Sequence, residues 1–183
     1  QGGTRIFLIS IAAIASGVED FNIGDSVAAI GAGYALHADY SVVPQNLVVP
    51  LPEQSSFEQG AYGMLLATGM QALRRGNPQI GDYVAVAGMG IVGILTARLF
   101  QLAGCYAIGW DTIDARLSLA KALGIDETAL VFSEDEIEKT KAFTMGRGLD
   151  ISVVALGGDA TKPAHSLEQC MKISGDGHPM GTM

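Results

Sequence analysis

Three glycines punctuate the run Gly88-Met89-Gly90-Ile91-Val92-Gly93, at a spacing that suits a turn built to hold phosphate. The run follows a continuous apolar strand, Tyr83 to Ala87, and opens a segment with Val92, Leu95, Leu99 and Leu102 at helical spacing. In that setting each glycine has its own task. Gly88 permits the sharp turn, Gly90 lets main chain approach a pyrophosphate with no Cβ in the way, and Gly93 allows close packing of helix on strand. The free N–H groups and dipole of a helix start favour the phosphate oxygens. Asp111 ends the next apolar segment, 23 residues beyond Gly88. Its carboxylate can accept hydrogen bonds from adenosine ribose hydroxyls and would repel a 2′-phosphate. The pattern predicts NAD in preference to NADP.

Two other readings of the same residues stand beside this one. A glycine-rich turn with an exposed helix-capping Asp needs no ligand. A methyltransferase also uses a glycine loop and an acid after its second strand, but usually with an acidic residue just before a tighter GxGxG. Here Val86-Ala87 precedes the loop and the third glycine comes later.

The elements that must position these residues alternate. Ser55 with Glu58 reads as a capping box opening a helix through about Arg75. After Tyr83–Ala87 and its helix come a strand from Tyr106 to Trp110 and a helix carrying Ile113, Leu117 and Ala120. A strand from Thr128 to Phe132 follows, then a helix capped by Ser133 with Glu136. The last full units are a strand from Ile151 to Leu156 and a helix near Thr161 with Pro163 in its first turn. Buried apolar strands alternating with helices predict parallel βαβ units of a doubly wound Rossmann sheet. Residues 1–54 instead read as short strands and turns, including Val27–Ile30, Tyr40–Val43 and Leu47–Val49. The predicted division is a β-rich module at 1–54 and a nucleotide domain at 55–183. Met180–Met183 reads as the start of a fifth strand, so the chain is expected to be a piece cut at both ends, prone to association through uncovered edges.

Composition narrows the function classes. The 183 residues are 49% apolar and 16% charged, with net charge −8, and the 11 Lys and Arg are spread thinly. No nucleic-acid or anionic-membrane surface is predicted. Cys105 and Cys170 lie in apolar stretches and read as core thiols of a cytoplasmic protein. The run Ile6–Ala15 has the flavour of a signal-peptide core, with Ala13-Ile14-Ala15 as a cleavage site; preceded by Arg5 alone, it reads better as buried strand.

In order, Phe21-Asn-Ile-Gly-Asp-Ser-Val27, His37-Ala-Asp-Tyr40, Leu47-Val-Val-Pro-Leu-Pro52, Ala67-Thr-Gly69, the glycine loop and Ala103-Gly104 through Asp111 resemble the medium-chain dehydrogenase/reductase superfamily. The resemblance covers roughly residues 12 to 175. It implies a partial GroES-like domain followed by a Rossmann domain, and NAD(H)-dependent oxidoreduction of an alcohol, carbonyl or activated alkene by a homo-oligomer. It also implies cofactor contacts from Thr68, near the nicotinamide, Arg116, beside the adenosine, and Leu156 and Gly157, at the nicotinamide ribose.

Departures from the family are as informative. Zinc-dependent members carry a cysteine four residues before that threonine, where this chain has Met64, and their upstream His-Glu pair would fall near Arg5-Ile6. A thioether is a poor zinc ligand beside thiolate, imidazole or carboxylate, so no metal is predicted. His37 reads as a structural turn and His165 as solvated, while Tyr40 and Tyr62 are candidate proton donors whose packing role is the simpler reading. No catalytic acid emerges. The rival class is a catalytically silent NAD-binding module that responds to redox state or forms oligomers.

Overall fold

A computed structural model describes residues 6–31, 33–36, 38–132, 136–175, 178 and 180–183. Its chain groups into two compact units, Gln1–Met64 and Leu65–Met183.

In the first unit β1 (Ile6–Ser10), β2 (Ser26–Ile30) and β3 (Val48–Pro50) form an antiparallel sheet in the order β1-β2-β3. Val27 and Ala29 are buried and alternate with more exposed neighbours, the period-2 signature of a half-covered strand. Three expectations change here. Ile11–Ala15 is not strand and its alanines are exposed, so only the first half of that apolar run pairs. Tyr40–Val43 forms no strand, and Leu47 closes a 3₁₀ turn that feeds β3. The predicted capping box is displaced by one residue. Ser56 Oγ accepts the Gln59 N–H at 3.2 Å and Gln59 Oε1 accepts the Ser56 N–H at 3.0 Å. It opens α1 (Phe57–Ala61), which ends at Tyr62 before α2 (Gly63–Gly76) begins. Gly60 and Gly63 flank that break, and glycine holds a helix weakly.

The second unit continues with β4 (Tyr83–Ala87), α3 (Ile91–Leu102), β5 (Tyr106–Asp111), α4 (Asp114–Ala122), β6 (Glu127–Leu130), α5 (Glu136–Phe143), β7 (Ile151–Val154) and α6 (Thr161–Glu168). The four strands are parallel, in the order β6-β5-β4-β7. This is the Rossmann order, in which the chain starts in the middle and moves outward, then returns to the other side of β4. The predicted strand ends are trimmed: β6 stops at Leu130 and β7 at Val154. Ser133, predicted to cap α5, lies outside the described residues. Thr182 makes a parallel bridge to Ile151, with its N–H donating to the Asp150 carbonyl at 2.9 Å, where a fifth strand was predicted.

The apolar run of β4 is explained by two cores. Val84 and Val86 point to the face covered by Ile94, Ala97, Phe100 and Leu117. Tyr83, Ala85 and Ala87 point to the other, with Trp110, Leu149 and Leu167. Each fully buried valine contributes about 1.5–3 kcal/mol from loss of apolar surface. On α3 the buried face is Gly93, Ile94, Ala97 and Phe100, whereas Leu102 is 77% exposed. The leucine spacing therefore gave the wrong stripe. Gly93 sits against the β4 turn, and that contact sets the rotation of the helix.

Candidate functional site

The functional geometry collects where the four parallel strands end. At the tip of β4 the chain reverses at Gly88, with φ +102, a conformation that disfavours any side chain. The Gly88 N–H donates to the Trp110 carbonyl at 2.7 Å, and a Cβ at this position would lie 2.7 Å from the Ala155 carbonyl oxygen. Gly93 is fixed for a different reason: a Cβ there would overlap the Gly88 carbonyl oxygen. Both glycines are thus demanded by the fold.

Gly90 is not. It has φ −75 and ψ −174, which any residue adopts, and nothing lies within 4 Å of where its Cβ would be. It is the N-cap of α3, and no side chain caps that helix. The N–H groups of the first turn, carried by Ile91 and Val92, are therefore left to solvent or a ligand. Met89 is different again. Its side chain is 1% exposed and tucks against Gly109 of β5, where a Cβ would collide with the Met89 sulfur, so Met89 offers the site only its backbone.

Asp111 is the last residue of β5, and its side chain is 4% exposed. Oδ2 accepts the Met89 N–H at 2.8 Å and Oδ1 accepts the Ile113 N–H at 2.9 Å. The Arg116 guanidinium stands 3.5 Å from Oδ2, with half of its own side chain in solvent. The carboxylate thereby clamps the glycine turn to the start of α4. Two oxygens offer about four acceptor sites, so capacity remains toward the open side.

A cavity of about 660 Å³ runs across these strand tips, within the usual range for small-molecule sites. From one end to the other it meets Phe132 beyond β6, Asp111 and Thr112 beyond β5, Gly88 and Gly90 beyond β4, and Leu156 and Gly157 beyond β7. Arg116, Asp159 and Lys162 also line it. Asp159 is committed to the entry of α6: its Oδ1 accepts the Thr161 hydroxyl and N–H at 2.6 and 2.9 Å. Those two donors hold its carboxyl below the ordinary value. A second cavity, about 450 Å³, lies within the first unit and is lined mainly by Ile11–Ala15 and Val42–Val43, with Asp39 its one charged side chain.

The strand-tip cavity thus brings together Gly88, Gly90, Asp111, Arg116, Leu156 and Gly157 of the predicted set. Ile91, Val92 and Gly93 form the first turn behind it. Thr68 is exposed on α2 and does not line this cavity. Sequence reasoning missed Thr112, Phe132, Asp159 and Lys162, although each follows a strand end and strand-end position was the available signal.

Of the other candidates, Tyr40 is 83% and Tyr62 50% exposed. His165 is solvated beside Glu168 at 3.6 Å, and His37 lies outside the described residues. Among the described residues no group of three or more His, Cys, Asp or Glu is placed to hold a metal ion, and no helix is long and apolar enough to cross a membrane. Both cysteines are buried, as predicted. Burial, followed by the negative charges of Asp82 and Asp150, pushes the Cys105 thiol up to about 11.

A Rossmann-type parallel α/β domain is therefore the class that the fold defines. No family model matches the chain. It is 30% identical over 150 residues to an alcohol dehydrogenase of Cupriavidus necator, covering 80% of this chain and 40% of that protein. It is 33% identical over 132 residues to an L-idonate 5-dehydrogenase of Vitis vinifera, covering 68% and 35%. The quinone oxidoreductase of Pseudomonas syringae pv. Tomato DC3000 superposes with a TM-score of 0.78 at 26% identity, over 92% of this chain and 52% of that one. The chain belongs to the medium-chain dehydrogenase/reductase superfamily, with alcohol dehydrogenase-like proteins as its relatives. It spans about half, or less, of the length of these proteins.

Proposed function

We propose that the strand-tip cavity binds NAD(H) and that the protein serves oxidoreduction of an alcohol, carbonyl or activated alkene without zinc. The observation that carries the reading is Gly90. Its backbone angles and its packing would both admit a side chain, yet one there would project into the space where a helix N-terminus meets the cavity. A pyrophosphate needing close main-chain approach supplies the reason for a glycine.

The residues divide the work. The first turn of α3 offers its N–H groups to phosphate. Asp111, already anchored by Met89 and Ile113, presents its remaining acceptor capacity to ribose hydroxyls, and its charge disfavours a 2′-phosphate. Leu156 and Gly157 border the opposite half of the cavity, where a nicotinamide ribose would lie. A nicotinamide cofactor supplies hydride transfer when bound; the protein's part is orientation and exclusion of water. Met64 in place of the zinc-binding cysteine supports a metal-free site. The β-rich residues 1–54 are read as part of a GroES-like substrate domain, and the family resemblance supports a homo-oligomer acting on a small-molecule substrate.

Calorimetric titration of the chain and its Gly90→Ala variant with NADH and NADPH tests the reading. The parent should favour NADH. Gly90→Ala should stay within about 1 kcal/mol of the parent's stability, because the unfolded-chain restriction of about 0.4–1 kcal/mol is offset by alanine's poorer fit at an N-cap, and should lose NADH binding. Undiminished binding by the alanine variant, or tighter NADPH binding by the parent, refutes the proposal.

A further inference from the structure

Among the described residues β6 is the outermost strand on its side of the parallel sheet, with β5 its only strand neighbour. The Val131 N–H donates to the Asp111 carbonyl at 2.9 Å. By the two-residue period of a strand, Glu127, Ala129 and Val131 therefore direct their main-chain groups toward β5, and Thr128 and Leu130 direct theirs outward. An outward row of N–H and C=O groups is a template on which another strand can pair.

One ion pair closes the head of that row. Glu127 Oε1 accepts the outward Thr128 N–H at 2.8 Å. The same oxygen meets Lys121 Nζ, from the last turn of α4, at 3.0 Å. Lys121 also donates to the carbonyl of Asp126, the residue just before β6, at 2.7 Å. One main-chain donor and one main-chain acceptor are thereby occupied by side chains. Burial alone would raise the Glu127 carboxyl, but the Thr128 N–H, the Lys121 ammonium and the charge of Lys139 outweigh it and hold the group below its ordinary value. Support of the fold does not account for the arrangement. The two side chains are 32% and 42% exposed, and an ion pair so open to solvent contributes little stability. A carboxylate turned back onto the free N–H of its own strand accounts for it as a block.

We propose that Glu127, held by Lys121, is a cap that keeps the outer edge of the sheet from pairing with the same edge of a second copy of this chain. A second copy is the strand always at hand, present at the protein's own concentration. Two β6 edges can meet antiparallel about a two-fold axis, each supplying the donors and acceptors that the other needs. The cap directs self-association to other surfaces, and it is independent of the cofactor reading above.

The experiment compares the parent, Glu127→Ala and Glu127→Gln by amide hydrogen exchange at Thr128 and by light scattering over a concentration series. Fluorescence of the fully buried Trp110 reports whether each variant is folded. Glu127→Ala should keep the Trp110 signal, and in dilute solution its Thr128 amide should exchange about 2- to 10-fold faster, the change expected for one lost hydrogen bond. As concentration rises its average mass should climb above the parent's, and the Thr128 amide should slow again as the edges pair. Glu127→Gln keeps an oxygen for the Thr128 N–H and should match the parent in both readouts. Parental Thr128 exchange in dilute Glu127→Ala overturns the proposal, because no cap was removed. So does a parental mass at every concentration, or added mass with Thr128 still fast, since the edge is then not what Glu127 guards. Association of Glu127→Gln like that of Glu127→Ala, or loss of the Trp110 signal in Glu127→Ala, overturns it equally.

Discussion

Asp111→Asn exchanges one carboxylate oxygen for an NH₂ group at a side chain that is almost wholly buried. The carboxylate receives the Met89 N–H on one oxygen and the Ile113 N–H on the other. Asparagine has a single acceptor oxygen, so one of the two donors must face an NH₂ and go unpaired. The Met89 bond is buried and the Ile113 bond only partly so, which makes Ile113 the cheaper loss. An orphaned buried donor costs about 1–3 kcal/mol. The half-exposed Arg116 pair contributes at most about 1 kcal/mol more. Asp111→Asn should therefore destabilise the protein by about 1–4 kcal/mol, and Asp111→Ala, which strands both donors, by about 2–7 kcal/mol. Trp110 provides the probe. It is the chain's one tryptophan, fully buried immediately before Asp111, and its indole N–H donates to Thr140 Oγ1 at 3.1 Å. Urea unfolding followed by its fluorescence should give a lower midpoint with an unchanged slope. A parental midpoint for Asp111→Ala would refute the clamp and leave Asp111 a ligand contact alone.

Three further outcomes are expected. Gly93→Ala forces a Cβ into the Gly88 carbonyl, a backbone group that cannot swing aside, so it should cost about 1–3 kcal/mol or more and melt well below Gly90→Ala; equal melting of the two variants contradicts the division of labour between these glycines. Elemental analysis after dialysis should find no stoichiometric zinc, given Met64 at the ligand position, and one zinc per chain would overturn that alignment. Cys105, with its thiol pushed up to about 11, is about one part in a thousand thiolate at pH 8, so iodoacetamide should label it only after unfolding; rapid labelling of the native protein would contradict its burial.

The amino-acid sequence was most informative where chemistry is local. Gly88 must be glycine because its own backbone turns left-handed, and the apolar alternation of strand and helix around it announces parallel βαβ units before any contact is known. The strand–turn–helix frame, the glycine loop and the acid at the end of the next strand were all legible for that reason. The capping box was legible in kind but displaced from Ser55 to Ser56, because adjacent serines offer the same hydroxyl and only the packing of the following turn chooses between them. The buried face of α3 was misjudged because leucine spacing cannot reveal that Gly93, pressed on the Gly88 carbonyl, orients the helix. What belonged to tertiary structure alone was the joining of strand ends far apart in the chain. Asp111 holds Met89 from 22 residues away, and Phe132, Asp159 and Lys162 enter one cavity with Gly90, marked in the sequence by nothing more than their places after strand ends. A parallel sheet gathers the ends of all its strands on one side, so the composition of that rim depends on strand order and on where each strand stops. Those are long-range quantities, settled when β7 returns beside β4 and β6 ends at Leu130, before its apolar run does.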